Sequence, residues 1–533
     1  MNVEHQHPLE RVVTGITGVS INPPEKGVWR AVVSSAELPR LVEIVVRQYN
    51  GSVLLAAGED RPRENALYVH YLLGFQPESA ESGSRGGWEL LHIATRLSRE
   101  LPTVPSLAGV SFPASRFERE MRDLLGVHPA GHPDPRPLVR HGFWPETFYP
   151  LRHDAAPPAF SDDGRPFPFT EVEGEGVYEI PVGPVHAGVI EPGHFRFNVL
   201  GETILKMRAR LYFTHKGTER LFLGRLPNDA LPLAERISGD TSVGHAMAFC
   251  QAIEALADVQ IPRAAKVVRT IVLELERLYN HMADVGAIIG DTGFPVGQAH
   301  CLRLRERLLR LNKDIAGHRL LRGVVVPGGV ALQQKGLDPG IVSAVDQIVR
   351  DFEEVVQICR DNTLVADRLE GTGRLPAEVA RDFGVVGYVA RACGVSHDAR
   401  RDLPFAAYEW LDVAPVVAQG GDVEARLDVR VREVRQATNI IAQVLSKPVP
   451  TDHRVDIGAL PAWTPAFGVV EAWRGRLVHM VMVDEDGRLH RVKVVDPSFF
   501  NWPALARALD GNIVPDFPLC NKSFNASYSG NDL

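Results

Sequence analysis

From Pro262 to Gly290 the apolar residues Val267, Val268, Ile271, Leu275, Leu278, Met282 and Val285 recur at three- and four-residue steps. That is the period of one helix face, and Pro262 suits the first position because proline lacks the N–H that a first helical turn leaves without a partner. Glu274, Glu276 and Arg277 lie among the apolar positions. Further helical patterns run from about 300 to 321, 339 to 369 and 422 to 446. Short strand-like segments precede them at Val177 to Val182 and Phe195 to Val199. Near the end, Arg476 to Val483, Asp484-Glu485-Asp486-Gly487 and Arg488 to Val495 read as a β-hairpin around a glycine-bearing turn. The second part of the chain is therefore expected to be a mainly helical bundle with short strands at both ends.

The first 150 or so residues read differently. Ala31 to Val33, Leu41 to Val46 and Ser52 to Ala57 form a strand, helix, strand succession, as in a small α+β domain. Pro, Asp, Gly and Ala then dominate from His153 to Gly176, a linker composition. The expected fold class is α+β, with domains at 1–152 and 177–533 and a linker at 153–176.

Composition narrows function by exclusion. A net charge of −8 gives no electrostatic case for nucleic acid. No apolar run reaches the roughly 18 residues that cross a bilayer. Met1 to Glu10 holds two histidines and two glutamates where a signal peptide has a basic and then an apolar stretch, so export is not expected. Cys250, Cys301, Cys359, Cys393 and Cys520 form no C-x-x-C pair, so no iron–sulfur cluster is expected within the chain. No G-x-G-x-x-G follows a strand, and H-E-x-x-H, the Walker loop and G-x-S-x-G are missing.

Several motifs carry a family resemblance. Phe117-Glu118-Arg119-Glu120-Met121-Arg122-Asp123-Leu124-Leu125-Gly126-Val127, with Gly131-His132-Pro133-Asp134-Pro135-Arg136, resembles the signature of the C-type subunit of NADH-quinone oxidoreductase (complex I). Leu125 stands where that family prefers phenylalanine, and Pro135 where leucine is usual. Without the second domain the segment reads as a solvated amphipathic helix and a charged turn. Gly183-Pro184-Val185-His186 and Glu191-Pro192-Gly193-His194-Phe195-Arg196-Phe197 resemble the opening of membrane-bound hydrogenase large subunits, related to the D-type subunit of complex I. The similarity continues through His215 to Leu221, Leu273 to Leu278 with His281, and Asp496 to Leu505. A fusion of C-like and D-like parts most resembles the large subunit of formate hydrogenlyase and hydrogenase-4 complexes.

Against that family four positions have changed. Arg236-Ile237-Ser238-Gly239-Asp240-Thr241-Ser242-Val243-Gly244-His245 resembles the hydrogenase motif R-x-C-x-x-C-x-x-x-H with Ser238 and Thr241 at the cysteine places. Asn525 to Asp532 resembles the closing D-P-C-x-x-C with Ser527 and Gly530 there. Nickel–iron chemistry needs polarizable thiolates, which protonated hydroxyls and a bare glycine do not supply. No bound metal is therefore expected.

The resemblance implies roles for other residues. Glu191 falls where hydrogenases keep a proton-transferring glutamate, a task that suits a carboxyl raised by burial. His186 falls where complex I places a histidine near the quinone headgroup, with His194 in the same loop; the paired tyrosine corresponds to Gly239. His245 fits the histidine that orients a ligand cysteine, and equally a satisfied buried histidine. Arg236 and Asp240 are candidates for a polar pair in the emptied cavity. The arginine-rich helix with Arg303, Arg305, Arg307 and Arg310, near Arg319 and Arg322, reads as an amphipathic helix with a basic face.

The function expected from the resemblance is a peripheral-arm subunit of a membrane-bound oxidoreductase complex, on the cytoplasmic face of the membrane, moving electrons or protons without nickel. The implied partners are a small subunit carrying a [4Fe-4S] cluster, a ferredoxin-like subunit and antiporter-like membrane subunits, with quinone as a possible acceptor. The alternative is a structural subunit with no redox chemistry.

Overall fold

A computed structural model describes residues 9–10, 19–25, 27–77, 85–162, 164, 166–186, 190–332, 340–447 and 452–533. Met1 to Pro8 of the non-export reading, Asp163 and Arg165 of the linker, and Pro339 at the start of the third helical pattern lie outside the described residues. The chain divides into two compact units: Met1–Glu171 with Asp382–Gly384 and Asp532, and Val172–Arg381 with Val385–Asn531 and Leu533.

The first unit is built on strands β1 (Ser20–Glu25), β2 (Val28–Val32), β3 (Ser52–Arg61), β4 (Ala66–Phe75) and β5 (Glu89–Ser98). They form one sheet in the order β1-β2-β5-β4-β3, with β2 and β5 parallel and the other pairs antiparallel. The helix Leu38–Gln48 links β2 to β3 and buries Leu38, Leu41, Val42 and Val45, one apolar stripe at helical spacing. Fully burying side chains of this size contributes about 1.5–3 kcal/mol each. The mixed reading of this unit holds. His153 and Asp154, assigned to the linker by composition, are tied to it: the His153 N–H donates to Asp60 (2.9 Å) and Asp154 pairs with Arg99 (2.7 Å).

The signature segment of this unit is not a solvated helix. It is the helix Phe112–Leu125, capped by Ser111 and closed by Gly126 at φ +78°, a left-handed position that suits glycine. Asp123 is buried and accepts the backbone N–H groups of Leu138, Val139 and Arg140 through Oδ2 (2.7, 2.8 and 3.3 Å). Arg119 and Arg122 donate to the Arg136 carbonyl (3.1 and 2.6 Å), so the helix charges bind the following loop. Two short strands, β6 (Thr103–Pro105) and β7 (His128–Ala130), pair in parallel beside it.

Burial raises the Glu118 carboxyl to about 7, against the Ser106 hydroxyl and Leu107 N–H that favour its charged form. A carboxyl that binds its proton more tightly when folded loses stability as pH rises from its unfolded value, near 4.5, through about 7. Denaturation between pH 5 and 8 is expected to show that decline, and Glu118→Gln to flatten it.

The second unit opens with an antiparallel sheet of β8 (Val177–Val182), β9 (His194–Leu200) and β10 (Thr203–Arg210), in the order β10-β9-β8. Its axis is the helix Arg263–Asp291, packed against Pro295–Ala316 and Val423–Leu445. After the small ladder β11 (Val325–Val326) and β12 (Gly329–Val330), the chain closes a second sheet from β13 (Ala466–Ala472), β14 (Gly475–Val483) and β15 (Leu489–Val495). The expected hairpin is β14 and β15. Gly487 sits at φ +71° in its turn, and Asp484 accepts the N–H groups of Asp486 and Arg488 (3.0 and 2.9 Å). β13 and β14 pack against the helix Ser242–Ala257.

The arginine-rich helix is Pro295–Ala316. Much of its basic face is spent within the chain: Arg307 pairs with Asp351 (2.6 Å), and Arg310 and Arg319 share Glu306 (3.0 and 2.6 Å). All five cysteines are buried and unbridged. Among the described residues no helix is long and apolar enough to cross a membrane.

Candidate functional site at the altered motifs

The central helix fixes the first motif. Glu276 accepts the Val243 N–H at one oxygen (2.7 Å) and the Gly244 N–H at the other (3.0 Å), holding the start of the Ser242–Ala257 helix. Burial pushes the Glu276 carboxyl up to about 8 despite those two donors. One turn on, Asn280 donates to the Asp240 carbonyl (2.7 Å), as does Trp473 Nε1 (3.1 Å).

The second motif is brought to the first. The helix Phe517–Phe524 ends at Asn525, and Ser527 then caps the short helix Tyr528–Asp532, its Oγ accepting the Gly530 N–H (2.9 Å). The Ser527 N–H donates to Ser498 Oγ (2.8 Å), and Trp502 Nε1 donates to the Ser527 carbonyl (3.1 Å). Ser238 Oγ and Ser527 Oγ, 289 positions apart, lie 2.9 Å from each other.

An ion pair joins the two motifs. Arg474 binds Asp240 with both guanidinium nitrogens (Nη1 to Oδ1 2.6 Å, Nη2 to Oδ2 2.7 Å), donates to Thr241 Oγ1 (3.2 Å), and reaches the Asn525 carbonyl through Nε (2.6 Å). Ser238 and Thr241 also donate to Asp240 Oδ1 (2.9 and 3.0 Å). Burial would raise Asp240, but Arg474 and the two hydroxyls outweigh it and hold the carboxyl at about 2.

Arg236 and Asp240, candidates for a polar pair on the sequence, do not pair in the structure. Arg236 is exposed and donates to the Pro232 carbonyl (2.8 Å), while Arg474, which the motifs did not single out, takes its place. No local signal singles out Arg474, since Glu471 and Arg476 put further charges at the same β13–β14 corner.

Asp496 was also missed as a site residue, although an aspartate before Pro497 is a helix-start signature. It caps the helix Pro497–Ala508 by accepting the Ser498 N–H (2.8 Å), and accepts from His245 Nε2 (3.1 Å). His245 Nδ1 then accepts from His479 Nε2 (3.0 Å), so His245 is a fully engaged buried histidine. A side chain at position 530 would enter the Asp496 carboxylate, whose atoms lie 2.6 to 2.9 Å from where its Cβ would stand.

The donor set does not fit nickel. Three hydroxyls are committed to one another and to Asp240, the fourth position has no room for a side chain, and a guanidinium bridges the two motifs. Among the described residues no group of three or more His, Cys, Asp or Glu is arranged to hold a metal ion.

Glu191 reaches this cluster by accepting the Ser529 N–H (3.0 Å), but it is exposed rather than buried. His186 is half-buried and donates from Nε2 to the Gly193 carbonyl (2.8 Å). His194 donates from Nδ1 to the Gly183 carbonyl and accepts from Arg196 Nε (3.1 Å each). Gly193 packs so closely on Tyr528 that a Cβ there would stand 2.5 Å from Cε1, which sets this loop against the second motif. The structure thus gathers Glu191, Ser238, Asp240, Thr241, Ser527 and Gly530, with His186 and His194 in the flanking loop, and leaves Arg236 outside.

Gly239 borders open space, with no heavy atom within 4 Å of a Cβ placed on it. Gly239→Tyr is therefore expected to change stability by no more than about 0.5 kcal/mol, measured by urea denaturation.

Comparison with known proteins agrees with this architecture. The family model "Respiratory-chain NADH dehydrogenase, 30 Kd subunit" matches residues 31–161, "Nickel-dependent hydrogenase" matches 216–284, and "Respiratory-chain NADH dehydrogenase, 49 Kd subunit" matches 291–456 and 458–532. Formate hydrogenlyase subunit 5 of Escherichia coli (strain K12) is 32% identical over 93% of this chain and 87% of its own length. Hydrogenase-4 component G of the same strain is 31% identical over 93% and 86%. A chain in the structure of the membrane-bound sulfane sulfur reductase, an archaeal respiratory membrane complex, superposes with a TM-score of 0.62 at 26% identity, covering 67% of this chain and 99% of that one. The chain belongs to the formate hydrogenlyase and hydrogenase-4 large-subunit family, in which parts similar to the C-type and D-type subunits of complex I are joined in one polypeptide.

Proposed function

We propose that this chain is the peripheral-arm subunit of a membrane-bound oxidoreductase complex of the hydrogenase-4 and complex I kind, taking part in electron or proton transfer without a nickel–iron centre. Its partners are a small subunit bearing a [4Fe-4S] cluster, a ferredoxin-like subunit and antiporter-like membrane subunits, assembled on the cytoplasmic face of the membrane. The acceptor is a quinone or another two-electron carrier; the sulfane sulfur reductase named above supplies a sulfur-based precedent.

One observation carries this reading: the altered positions still converge, with Ser238 Oγ 2.9 Å from Ser527 Oγ, and now surround an ionised Asp240 paired with Arg474. A site that stays polar and hydrogen-bonded without its thiolates suits proton handling. Glu191 stands exposed at its edge and His186 in the adjoining loop. In this reading Glu191 exchanges protons with solvent, His186 orients the acceptor, and Arg474 fixes the charge of Asp240.

The test uses the chain isolated with its native partners. After reduction of the partner cluster, quinone-dependent reoxidation is expected, at least about tenfold slower in His186→Ala or Glu191→Gln. A second reading, a non-redox coupling subunit, is favoured by the commitment of the Ser238, Thr241 and Ser527 hydroxyls inside the protein. An intact cluster that neither quinone nor a sulfane sulfur compound reoxidises would select it.

A further inference from the structure

A cavity of about 360 Å³ lies within the second unit, away from the altered motifs. Its floor is apolar: Ile253 from the Ser242–Ala257 helix, Pro327 from the β11–β12 turn, and Ile457 and Leu460 from the segment that leads into β13. Ile253 belongs to the core, and Ile457 and Leu460 pack against it, so the floor is anchored. Ile253 lies about three turns beyond Ser242, about 16 Å along the helix from the first altered motif.

The rim of the same cavity is acidic. Asp229, in the first turn of the helix Pro227–Ala234, and Asp486, in the β14–β15 turn, both line it and both are exposed. Among the described residues no cation pairs with either carboxylate, and no lysine, arginine or histidine lines the cavity. Arg225 and Arg488, which adjoin these segments in sequence, turn instead to the backbone carbonyls of Leu221 (2.7 Å) and Gly224 (3.0 Å). The helix start offers an anion only the Asn228 N–H, because Pro227 has none and those of Asp229 and Ala230 both go to the Leu226 carbonyl (3.1 Å each). A ligand that complements this lining therefore has a short apolar body and a positive end. The volume falls in the roughly 300–1,000 Å³ range of small-molecule sites. We propose that the cavity binds an alkyl or aryl ammonium compound, its hydrocarbon resting on Ile253, Ile457 and Leu460 and its N–H groups donating to the Asp229 and Asp486 carboxylates. The proposal uses no residue of the altered motifs, so it stands apart from the proton-handling reading.

Hexylammonium and 1-hexanol share one hydrocarbon chain and differ in the charge at its end. Ligand-observed NMR titration of each into the purified full chain is expected to give hexylammonium the lower Kd by about tenfold, the scale of two partly screened ion pairs. The double variant Asp229→Asn, Asp486→Asn is expected to bring the two compounds within about threefold of each other, and, with both side chains exposed, to keep the fold. Gly458 also lines the cavity, and a Cβ there meets no heavy atom within 4 Å, so a larger side chain enters the free volume. Gly458→Phe is expected to weaken both compounds by at least about tenfold, since it removes the apolar floor from reach. Equal or tighter binding of hexanol, no binding of hexylammonium, a preference unchanged in the double variant, or hexylammonium binding undiminished in Gly458→Phe would each overturn the proposal.

Discussion

Glu433→Gln is expected to lower the stability of the full chain by about 3–5 kcal/mol, the usual cost of removing one partner from a buried charge pair. The side chain is fully buried and joins three elements of the second unit. Arg391 donates to Oε1 through Nε and Nη2 (3.0 and 2.7 Å), while Arg277 Nη1 and His281 Nε2 donate to Oε2 (3.3 and 2.8 Å). Around this centre Arg391 also binds Glu471 (2.8 Å), and Arg400 binds Asp398 (2.7 Å) and Glu274 (3.2 Å). Burial alone would raise the Glu433 carboxyl, but Arg391, His281 and Arg277 outweigh it and hold it well below the usual range. Glutamine keeps the volume and loses the charge, so the loss is electrostatic. Urea denaturation measures it. If Arg391→Met in the same chain recovers part of the loss, the unpaired cation is the cause. A loss below about 1 kcal/mol would mean that water reaches the cluster.

Restoring all four cysteines, by Ser238→Cys, Thr241→Cys, Ser527→Cys and Gly530→Cys together, is expected to give a less stable protein that still binds no stoichiometric nickel. A Cβ at 530 would stand 2.6 to 2.9 Å from the Asp496 carboxylate atoms, and overpacking of this kind costs about 1–3 kcal/mol. Displacing Asp496 also removes the acceptor of His245 and the cap of the Pro497–Ala508 helix. Ser238→Cys and Thr241→Cys replace strong donors to Asp240 with weak ones while Arg474 still bridges the motifs. Equilibrium dialysis against Ni(II) measures the binding. One nickel per chain in this variant would show that Asp496 and Arg474 give way to a thiolate set.

Much of the fold was legible because its signals are local. The Arg263–Asp291 helix, the β14–β15 hairpin and the β8 and β9 strands each carry a period or a turn residue that the sequence displays directly. β13 was not, since every residue of Ala466–Ala472 is buried and no alternation marks it. Charges on the central helix were visible, but their burial was not: Glu274, Glu276 and Arg277 are fully buried because distant residues such as Glu433 and Arg400 complete them. The site divides in the same way. Ser238, Thr241, Ser527 and Gly530 could be found by motif, whereas Arg474 and Asp496 enter it from β13–β14 and from a helix cap, contacts that no local spacing encodes.

The family frame of this chain carries hydroxyls and a glycine at the four thiolate positions, a donor set that does not suit nickel. Metal and acid-labile sulfide analysis of the chain isolated with its native partners tests this most directly. The expected result is iron and sulfide in the complex with no stoichiometric nickel; one nickel per copy of this chain would show that these positions still support a metal centre.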